Sequence, residues 1–303
     1  MNGPLKLSIS QVMPMKVEEK KEMAAEKQDK NMVKPRKRKE VFIYGNYRNY
    51  YGYRLHHTME DDPRLKVFKR EWFDNKDCLD IGCNQGLVTI TIAKMFSCRS
   101  MVGIDIDKGL IEDARCNLRN TVRKQKSHGT LAKCSYAEGL NCGDLSEQKF
   151  PLVLNEETLY PQCCPSFPRE QDLLQRVSFH CENFVENIHR SSEKFHTILC
   201  LSVTKWIHLN WGDDGLLTLF SKIWRLLKPG GVLLLEPQPW TSYKRYRLLS
   251  ESTRTNYNNI HLHPDQFRDI LLDKVGFKSA DTITDNLSGT VAGFDRQIIA
   301  FQK

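Results

Sequence analysis

The sequence predicts an α/β protein with a Rossmann-like fold, in which helices cover both faces of a seven-stranded, mostly parallel sheet. Short apolar runs alternate with amphipathic segments from Cys78 onward, which is typical of parallel strands joined by helices. A glycine-containing turn follows the first apolar run at residues 80–86, and an acidic residue, Asp105, ends the second. Turns and acids at these places are typical of nucleotide-binding sheets. We therefore expect one domain of this class over residues 41–303.

The predicted elements follow one another as alternating strands and helices, with one interruption. Residues 121–176 are polar with scattered Pro and Gly, so we expect a flexible surface insertion there. Strands are predicted at residues 78–81, 101–105, 177–181, 197–202, 232–236, 278–284 and 297–301. Helices are predicted at residues 87–96, 108–120, 213–227 and 264–274.

The first 40 residues differ from the rest of the chain in charge and composition. They contain eleven Lys/Arg and six Asp/Glu, a net charge of +5, which leaves +3 of the total of +8 for residues 41–303. Such a segment, nearly free of aromatic residues, is expected to be a disordered basic tail. Its basic run at residues 34–39 predicts a nuclear-import signal or a nucleic-acid contact, although a solvated linker would have the same composition.

The cysteines predict neither a disulfide framework nor a structural metal. The chain has ten cysteines but no C-x-x-C pair, and several of them lie in apolar runs, as small buried residues do. Residues 1–20 lack an apolar signal core, and no run reaches the roughly 20 apolar residues of a membrane span. We therefore expect an intracellular protein with reduced thiols.

The turn after the first predicted strand indicates the cofactor. Asp80, Gly82 and Gly86 have the D-x-G-x-x-x-G spacing of S-adenosyl-L-methionine enzymes, with Asn84 in place of the usual middle glycine, and not the G-x-G-x-x-G spacing of dinucleotide sites. Asp105 follows Gly82 by 23 residues, where an acid can accept hydrogen bonds from both ribose hydroxyls. These features predict a class I methyltransferase, and the alternative is a Rossmann-like domain that binds another nucleotide.

The segment after the fourth predicted strand, residues 201–211, is expected to meet the methyl acceptor. It lacks the Asn/Asp-Pro-Pro-aromatic run of amino-group methylation and the Lys-Asp-Lys-Glu set of ribose methylation. It offers instead the cation Lys205 and the imidazole of His208. A phosphate oxygen is already an anion and needs no general base, so this set favours a phosphate acceptor. The alternative is that Lys205 is merely exposed.

An aromatic segment at residues 42–53 precedes the predicted sheet. It contains five tyrosines and no acidic residue, and its tyrosines are interleaved with Arg, Asn and Gly. This composition suits base stacking and phosphate contact better than packing in a core. Together with the basic tail, it favours an RNA partner.

Four motifs resemble the family of bicoid-interacting-protein methyltransferases: residues 44–54, 79–84, 201–212 and 235–240. The resemblance covers about residues 42–303. It implies methylation of the γ-phosphate at the 5′ triphosphate end of a small nuclear RNA of the 7SK type. Acceptor contacts are implied for Tyr44, Tyr47, Arg54, Lys205 and His208. Cofactor contacts are implied for Tyr53, Arg64, Gly82, Cys83, Asn84, Asp105, Ile106, Asn183, Phe184 and Leu201, although the family commonly has Tyr where this chain has Phe184.

The resemblance also implies partners and a location. The partners are the RNA itself, a La-related protein and the complex that restrains the positive transcription elongation factor, and the location is the nucleus. Two other functions fit the sequence. One is methylation of 5′ monophosphate ends on small RNAs or transfer RNA. The other is a mainly non-catalytic RNA chaperone that retains its cofactor and product.

Overall fold

The computed structural model describes residues 41–48, 50, 62–134, 170–188, 193–284 and 296–303. Residues Phe42–Lys303 form one compact unit. The predicted tail, most of the predicted insertion, and the predicted site residues Tyr53 and Arg54 lie outside the described residues.

A seven-stranded sheet organises the compact unit, as the sequence predicted. The strand order is β3-β2-β1-β4-β5-β7-β6. The first five strands are mutually parallel, and β7 runs antiparallel to both of its neighbours. The chain order reverses between β1 and β4, which is where ligands bind in open sheets of this kind. The strands are β1 Asp77–Ile81, β2 Ser100–Asp105, β3 Val177–Cys181, β4 Phe195–Leu201, β5 Leu227–Glu236, β6 Ser279–Thr282 and β7 Ile299–Gln302.

Helices cover both faces of the sheet because its central strands are apolar throughout. In β4, the side chains of Ile198, Leu199 and Cys200 are fully buried. Two hydrophobic clusters form, one on each side. The helices are α1 Leu87–Met95, α2 Lys108–Cys134, α3 Glu170–Arg176, α4 Thr204–Leu226, α5 Trp240–Tyr246 and α6 Glu251–Asn259, followed by a continuous helical stretch from Pro264 to Val275. Helices α1 and α2 pack on one face, and α4 with the last stretch packs on the other.

The largest difference from the prediction concerns the segment after β4. The sequence predicted a helix at residues 213–227 and no helix at residues 203–212, but α4 begins at Thr204 and runs to Leu226. It consists of two helices joined by a kink at Gly212, with φ 66° and ψ −165°, so the predicted helix forms its second part. Glycine adopts this conformation without the steric cost that other residues incur.

Other boundaries differ because local pattern is a weak guide to element ends. Helix α2 runs on to Cys134 and α3 occupies Glu170–Arg176, so both ends of the predicted insertion are helical. Strand β5 begins at Leu227, before the predicted start at residue 232, and includes Pro229, Gly230 and Gly231. Helices α5 and α6 were not predicted, because their apolar residues are few and widely spaced.

Candidate active site

The turn after β1 is held in a conformation that brings its backbone close to its neighbours. Gly82, Asn84 and Gly86 all have positive φ, at 73°, 52° and 72°. A Cβ atom at Gly82 would lie 2.4 Å from Cγ2 of Val203, so a larger residue there would collide with the pocket wall. The backbone N–H groups of Gly82 and Cys83 donate to the carbonyl of Ile104, which fixes the turn against β2.

Asp105 ends β2 with its carboxylate fixed next to this turn. Its Oδ2 accepts a hydrogen bond from the backbone N–H of Asn84 at 3.0 Å, and its Oδ1 accepts one from Asp107 at 2.9 Å. Only 8% of the residue is exposed, and burial raises the pKa of its carboxyl. Each carboxylate oxygen has a second lone pair, so Asp105 can still accept from ligand hydroxyls.

A pocket opens beyond the carboxyl ends of β1, β2 and β4, and most of the predicted cofactor residues line it. Those on its wall are Arg64, Gly82, Asn84, Asp105, Ile106, Asn183, Phe184 and Leu201, together with Tyr44 from the predicted acceptor set. Cys83 is not among the lining residues; it is buried, and its Sγ packs over Gly103. The wall also includes residues that the sequence analysis did not assign: Asn46, Asp80, Glu182, Ser202, Val203, Trp206, Ile207 and Trp211.

Two residues of opposite charge lie in the deep part of the wall. Arg64 is buried and donates to Asp62 and, at 2.6 Å, to Oε2 of Glu236, 172 residues further along the chain. Asp80 is 3% exposed and accepts from Oγ1 of Thr89 at 2.6 Å. Burial raises the pKa of Asp80 to about 6, against the opposing effects of the Thr89 hydrogen bond and the Arg64 charge.

The opposite wall is shaped by the segment after β3. Asn183 accepts hydrogen bonds through Oδ1 from the backbone N–H groups of Val185 and Glu186, at 3.1 and 3.4 Å, which forms a tight turn. The ring of Phe184 is buried beside this turn and borders the pocket together with Ile106 and Val185. The apolar side chains Ile106, Phe184 and Val185 on this wall could pack against an aromatic base.

A cluster of aromatic rings around one lysine borders the pocket at the start of α4. The Nζ of Lys205 lies 4.2 Å from the ring centroid of Trp206 and 4.0 Å from that of Tyr246, and it donates to Oγ of Ser242 at 2.8 Å. Tyr47 meets Trp206 edge-on, with centroids 5.8 Å apart. Lys205 is 4% exposed and does not itself line the pocket, but Trp206 belongs to both the pocket and this cluster.

The structure does not bring His208 to the pocket. Its side chain is fully buried, with Nε2 2.7 Å from Oδ1 of Asp213 and Nδ1 3.3 Å from the hydroxyl of Tyr243. Burial lowers the pKa of its imidazole. Along α4 the pocket is lined by Trp206, Ile207 and Trp211, whereas Lys205 and His208 point toward α5. The first turns of α4 therefore place the His208 side chain away from the pocket.

Some of the missed residues had a signal in the sequence, and others did not. Asp80 is part of the glycine-turn motif and could have been assigned with it. Asn46 belongs to the Tyr-rich segment, in which the sequence predicted only tyrosines as site residues. Glu182 and Ser202 carry no local signal, and only the parallel arrangement of β3 and β4 brings them to the same pocket.

The lining matches the chemical groups of S-adenosylmethionine. Asp105 offers an acceptor for the ribose hydroxyls, and the apolar wall at Phe184 suits the adenine ring. Arg64 and Asp80 carry the charges opposite to the carboxylate and ammonium of the methionine part. The backbone of Gly82 is accessible because the residue has no side chain. The residues present therefore fit this cofactor.

In the part of the chain that the structure describes, no helix has the length and apolar character to cross a membrane.

Comparison with known proteins identifies the family. The family model described as a methyltransferase domain matches residues 73–239, and the model of bicoid-interacting protein 3 matches residues 195–303. A probable RNA methyltransferase of Arabidopsis thaliana is 54% identical over 268 residues, which span 88% of this chain and 83% of that protein. The human 7SK snRNA methylphosphate capping enzyme is 39% identical over 88% of this chain but only 40% of its own length. The U6 snRNA methylphosphate capping enzyme Amus of Drosophila melanogaster is 40% identical over 80% of this chain and 70% of that protein. The chain belongs to the bicoid-interacting protein 3 family of S-adenosylmethionine-dependent methyltransferases.

Proposed function

We propose that this chain methylates a terminal phosphate at the 5′ end of an RNA, with the γ-phosphate of a 5′ triphosphate on a 7SK-like or U6-like small nuclear RNA as its acceptor. The observation that supports this most directly is the position of Lys205. It lies in the first turn of α4, directly after β4, and its ammonium lies over two adjacent aromatic rings, one of which, that of Trp206, lines the cofactor pocket. A cation flanked by aromatic rings suits a phosphate followed by a stacked base.

The start of α4 at Lys205 is fixed by a glutamine side chain. Its N–H donates to Oε1 of Gln238 at 3.1 Å, and the same oxygen accepts from Oγ1 of Thr204 at 3.2 Å. Gln238 therefore holds the start of α4 in place beside the end of β5. The amino end of a helix carries a partial positive charge that favours negative ligands. Lys205 and the helix end thus attract a phosphate to the same place.

The distribution of acidic residues is consistent with a phosphate and not a hydroxyl acceptor. Among the described residues of the pocket wall, the acids are Asp80, Asp105 and Glu182. Asp105 lies at the ribose position, Glu182 follows the end of β3, and Asp80 is buried behind the glycine turn. None of them belongs to the cluster of Lys205, Trp206 and Tyr246, where a general base for a hydroxyl would be needed. A phosphate oxygen can attack without such a base.

In this proposal the chain acts mainly by positioning. When bound, S-adenosylmethionine supplies an electrophilic methyl group on a positively charged sulfur. Lys205 and the aromatic cluster would hold the phosphate so that one of its oxygens is in line with that methyl group. The rings also exclude water, which strengthens the attraction between phosphate and ammonium. The oxygen–carbon bond forms as the carbon–sulfur bond breaks, and the phosphate loses one negative charge.

The experiment that tests the proposal compares RNA ends. One RNA sequence is prepared with triphosphate, diphosphate, monophosphate and hydroxyl 5′ ends, and methyl transfer from labelled cofactor is measured. We expect the triphosphate to react best and the hydroxyl not to react. Equal methylation of hydroxyl and triphosphate ends would refute the phosphate mechanism. A preference for the monophosphate would favour the activity of the more distant relatives, such as the zebrafish pre-miRNA 5′-monophosphate methyltransferase, which is 26% identical over 245 residues.

A substitution at Lys205 tests the position of the phosphate. Lys205→Ala should lower kcat/KM for triphosphate RNA by about 30- to 1,000-fold, corresponding to the loss of about 2–4 kcal/mol from a positioned charge. Affinity for S-adenosylhomocysteine should not change. Lys205→Arg should restore little, since the planar guanidinium has a different shape and would pack differently against the two rings. Lys194→Ala, just before the amino end of β4, is the matched control. Full activity of Lys205→Ala would show that the phosphate does not bind at this cluster.

Partners and location follow from the resemblance and are part of the proposal. The basic tail would support nuclear import. The compact unit would bind the 5′ end of the RNA, and a La-related protein and the complex that restrains the positive transcription elongation factor would assemble on the same RNA. Co-purification of these proteins with the tagged chain, and its loss after RNase treatment, would test this assembly.

A further inference from the structure

Asn46 presents a buried oxygen to the cofactor pocket. The residue lines the pocket, and its Nδ2 donates to Oδ2 of Asp107 at 2.5 Å. Its Oδ1 is buried and has no hydrogen-bond partner among the described residues. Leaving a buried carbonyl oxygen without a hydrogen-bond partner costs free energy. A ligand that donates a hydrogen bond to this oxygen would remove that cost.

The orientation of this amide is determined by its neighbour. A carboxylate only accepts hydrogen bonds, so the amide must turn its nitrogen toward Asp107 and its oxygen away from it. Asp107 is itself held in place, because its Oδ1 accepts from the backbone N–H of Leu110 at 3.1 Å at the start of α2. The free oxygen of Asn46 is therefore an acceptor that seeks an N–H or O–H donor.

The backbone on both sides of Asn46 is fixed to opposite walls of the pocket. The carbonyl of Tyr47 accepts from Nδ2 of Asn84 at 3.2 Å, and the carbonyl of Ile43 accepts from Nδ2 of Asn210 at 2.9 Å. Between them, Gly45 has φ +71°, and a Cβ atom there would lie 2.1 Å from the ring of Trp206. These contacts connect the glycine turn to α4 and fix the backbone around Asn46, while the hydrogen bond to Asp107 fixes its side chain.

The position of Asn46 identifies the donor. Its partner Asp107 is linked to Asp105 by the hydrogen bond from the Asp107 N–H to Oδ1 of Asp105 at 2.9 Å. The amide therefore lies next to the carboxylate that is assigned to the ribose. The donors nearest to that carboxylate on S-adenosylmethionine are the two ribose hydroxyls.

We propose that Oδ1 of Asn46 accepts a hydrogen bond from a ribose hydroxyl of the cofactor, so that the segment before the sheet takes part in ribose recognition together with Asp105. The inference rests on the methyltransferase assignment and is independent of the proposed RNA acceptor. Cofactor binding can be measured without RNA. A negative result for the Asn46 contact would therefore leave the proposed RNA acceptor unaffected, and the reverse also holds.

A double-mutant cycle between protein and ligand tests the contact. The affinities of S-adenosylhomocysteine and its 2′-deoxy and 3′-deoxy analogues are measured by calorimetry for the native protein and for Asn46→Ala. We expect Asn46→Ala to weaken binding of the complete ligand by about tenfold, as for a lost hydrogen bond. For one of the deoxy analogues the substitution should have no further effect, since the shared bond is already absent.

Two controls separate the contact from a loosened backbone. Asn210→Ala removes the hydrogen bond to Ile43 but leaves the Asn46 oxygen in place, so its effect should be the same for all three ligands. The thermal unfolding midpoint of each variant establishes that it is folded, and Asn46→Ser replaces Asn46→Ala if the latter does not fold. Unchanged affinity in the Asn46 variant would overturn the proposal. An equal loss for the complete ligand and both analogues would also overturn it.

Discussion

Asp80 leads to a prediction that connects stability with cofactor binding. Its carboxyl is buried behind the glycine turn, and burial raises its pKa from 3.8 to about 6. Since a change of one in pKa corresponds to 1.36 kcal/mol, the charged carboxylate costs the ligand-free fold about 3 kcal/mol at neutral pH. Such a cost is expected where a protein keeps a charge for a ligand of opposite sign, and S-adenosylmethionine is positively charged.

The substitution Asp80→Asn removes this charge while keeping an oxygen that can accept the hydrogen bond of Thr89. The folded pKa is raised, so the stability associated with the neutral carboxyl is complete below pH 3.8 and is lost as pH rises through about 6. At pH 7.5 the ligand-free variant should therefore be more stable than the native protein, by up to about 3 kcal/mol. Its affinity for S-adenosylmethionine should fall by about tenfold or more, because the pocket has lost a charge opposite to that of its ligand.

The assay is urea unfolding of both proteins between pH 5 and pH 8, with calorimetric titration of S-adenosylmethionine over the same range. The difference in the free energy of unfolding should grow as pH rises through about 6. Native affinity should fall as pH decreases through the same value, and the variant should lack this dependence. Thr89→Val is the control, because it keeps the carboxylate and removes only its hydrogen-bond donor. A stability difference that is independent of pH, or native affinity in Asp80→Asn, would refute the reasoning.

Two further predictions concern the cofactor and the tail. Asp105→Ala should abolish measurable cofactor binding, because buried ribose hydroxyls would lose an acceptor at a cost of roughly 1–3 kcal/mol each; unchanged calorimetric affinity would contradict the ribose assignment. Deletion of residues 1–39, which lie outside the compact unit, should leave methylation of a short triphosphate RNA intact and reduce nuclear accumulation of a fluorescent fusion. Loss of activity on the purified short RNA would show instead that the tail contributes to the active site.

The sheet could be predicted from the sequence because its strands are short apolar runs, each separated from the next by a recognisable helix or turn. The third strand, Val177–Cys181, has the bounds that were predicted; β6 is shorter than predicted at both ends, and the other strands are shifted or extended by a few residues. The helices were harder to predict. In α4, the predicted helix at residues 213–227 forms the part after the kink at Gly212, whereas the part that begins at Thr204 was not predicted.

The residues of the candidate site also differ in how far the sequence predicted them. The sequence by itself predicted the cofactor side from the glycine turn after β1 and from Asp105 at the end of β2, and the family resemblance added Asn183 and Phe184. Parallel strands bring their carboxyl ends together, and these residues line one pocket. Only the tertiary structure decided which side chains reach the pocket from α4, because the rotation of the helix turns His208 toward Tyr243 and Trp206 toward the cofactor. It also decided the contacts between distant segments, such as Arg64 with Glu236 and Asn46 with Asp107. No local pattern contains these contacts, since they exist only once the compact fold has brought the two segments together.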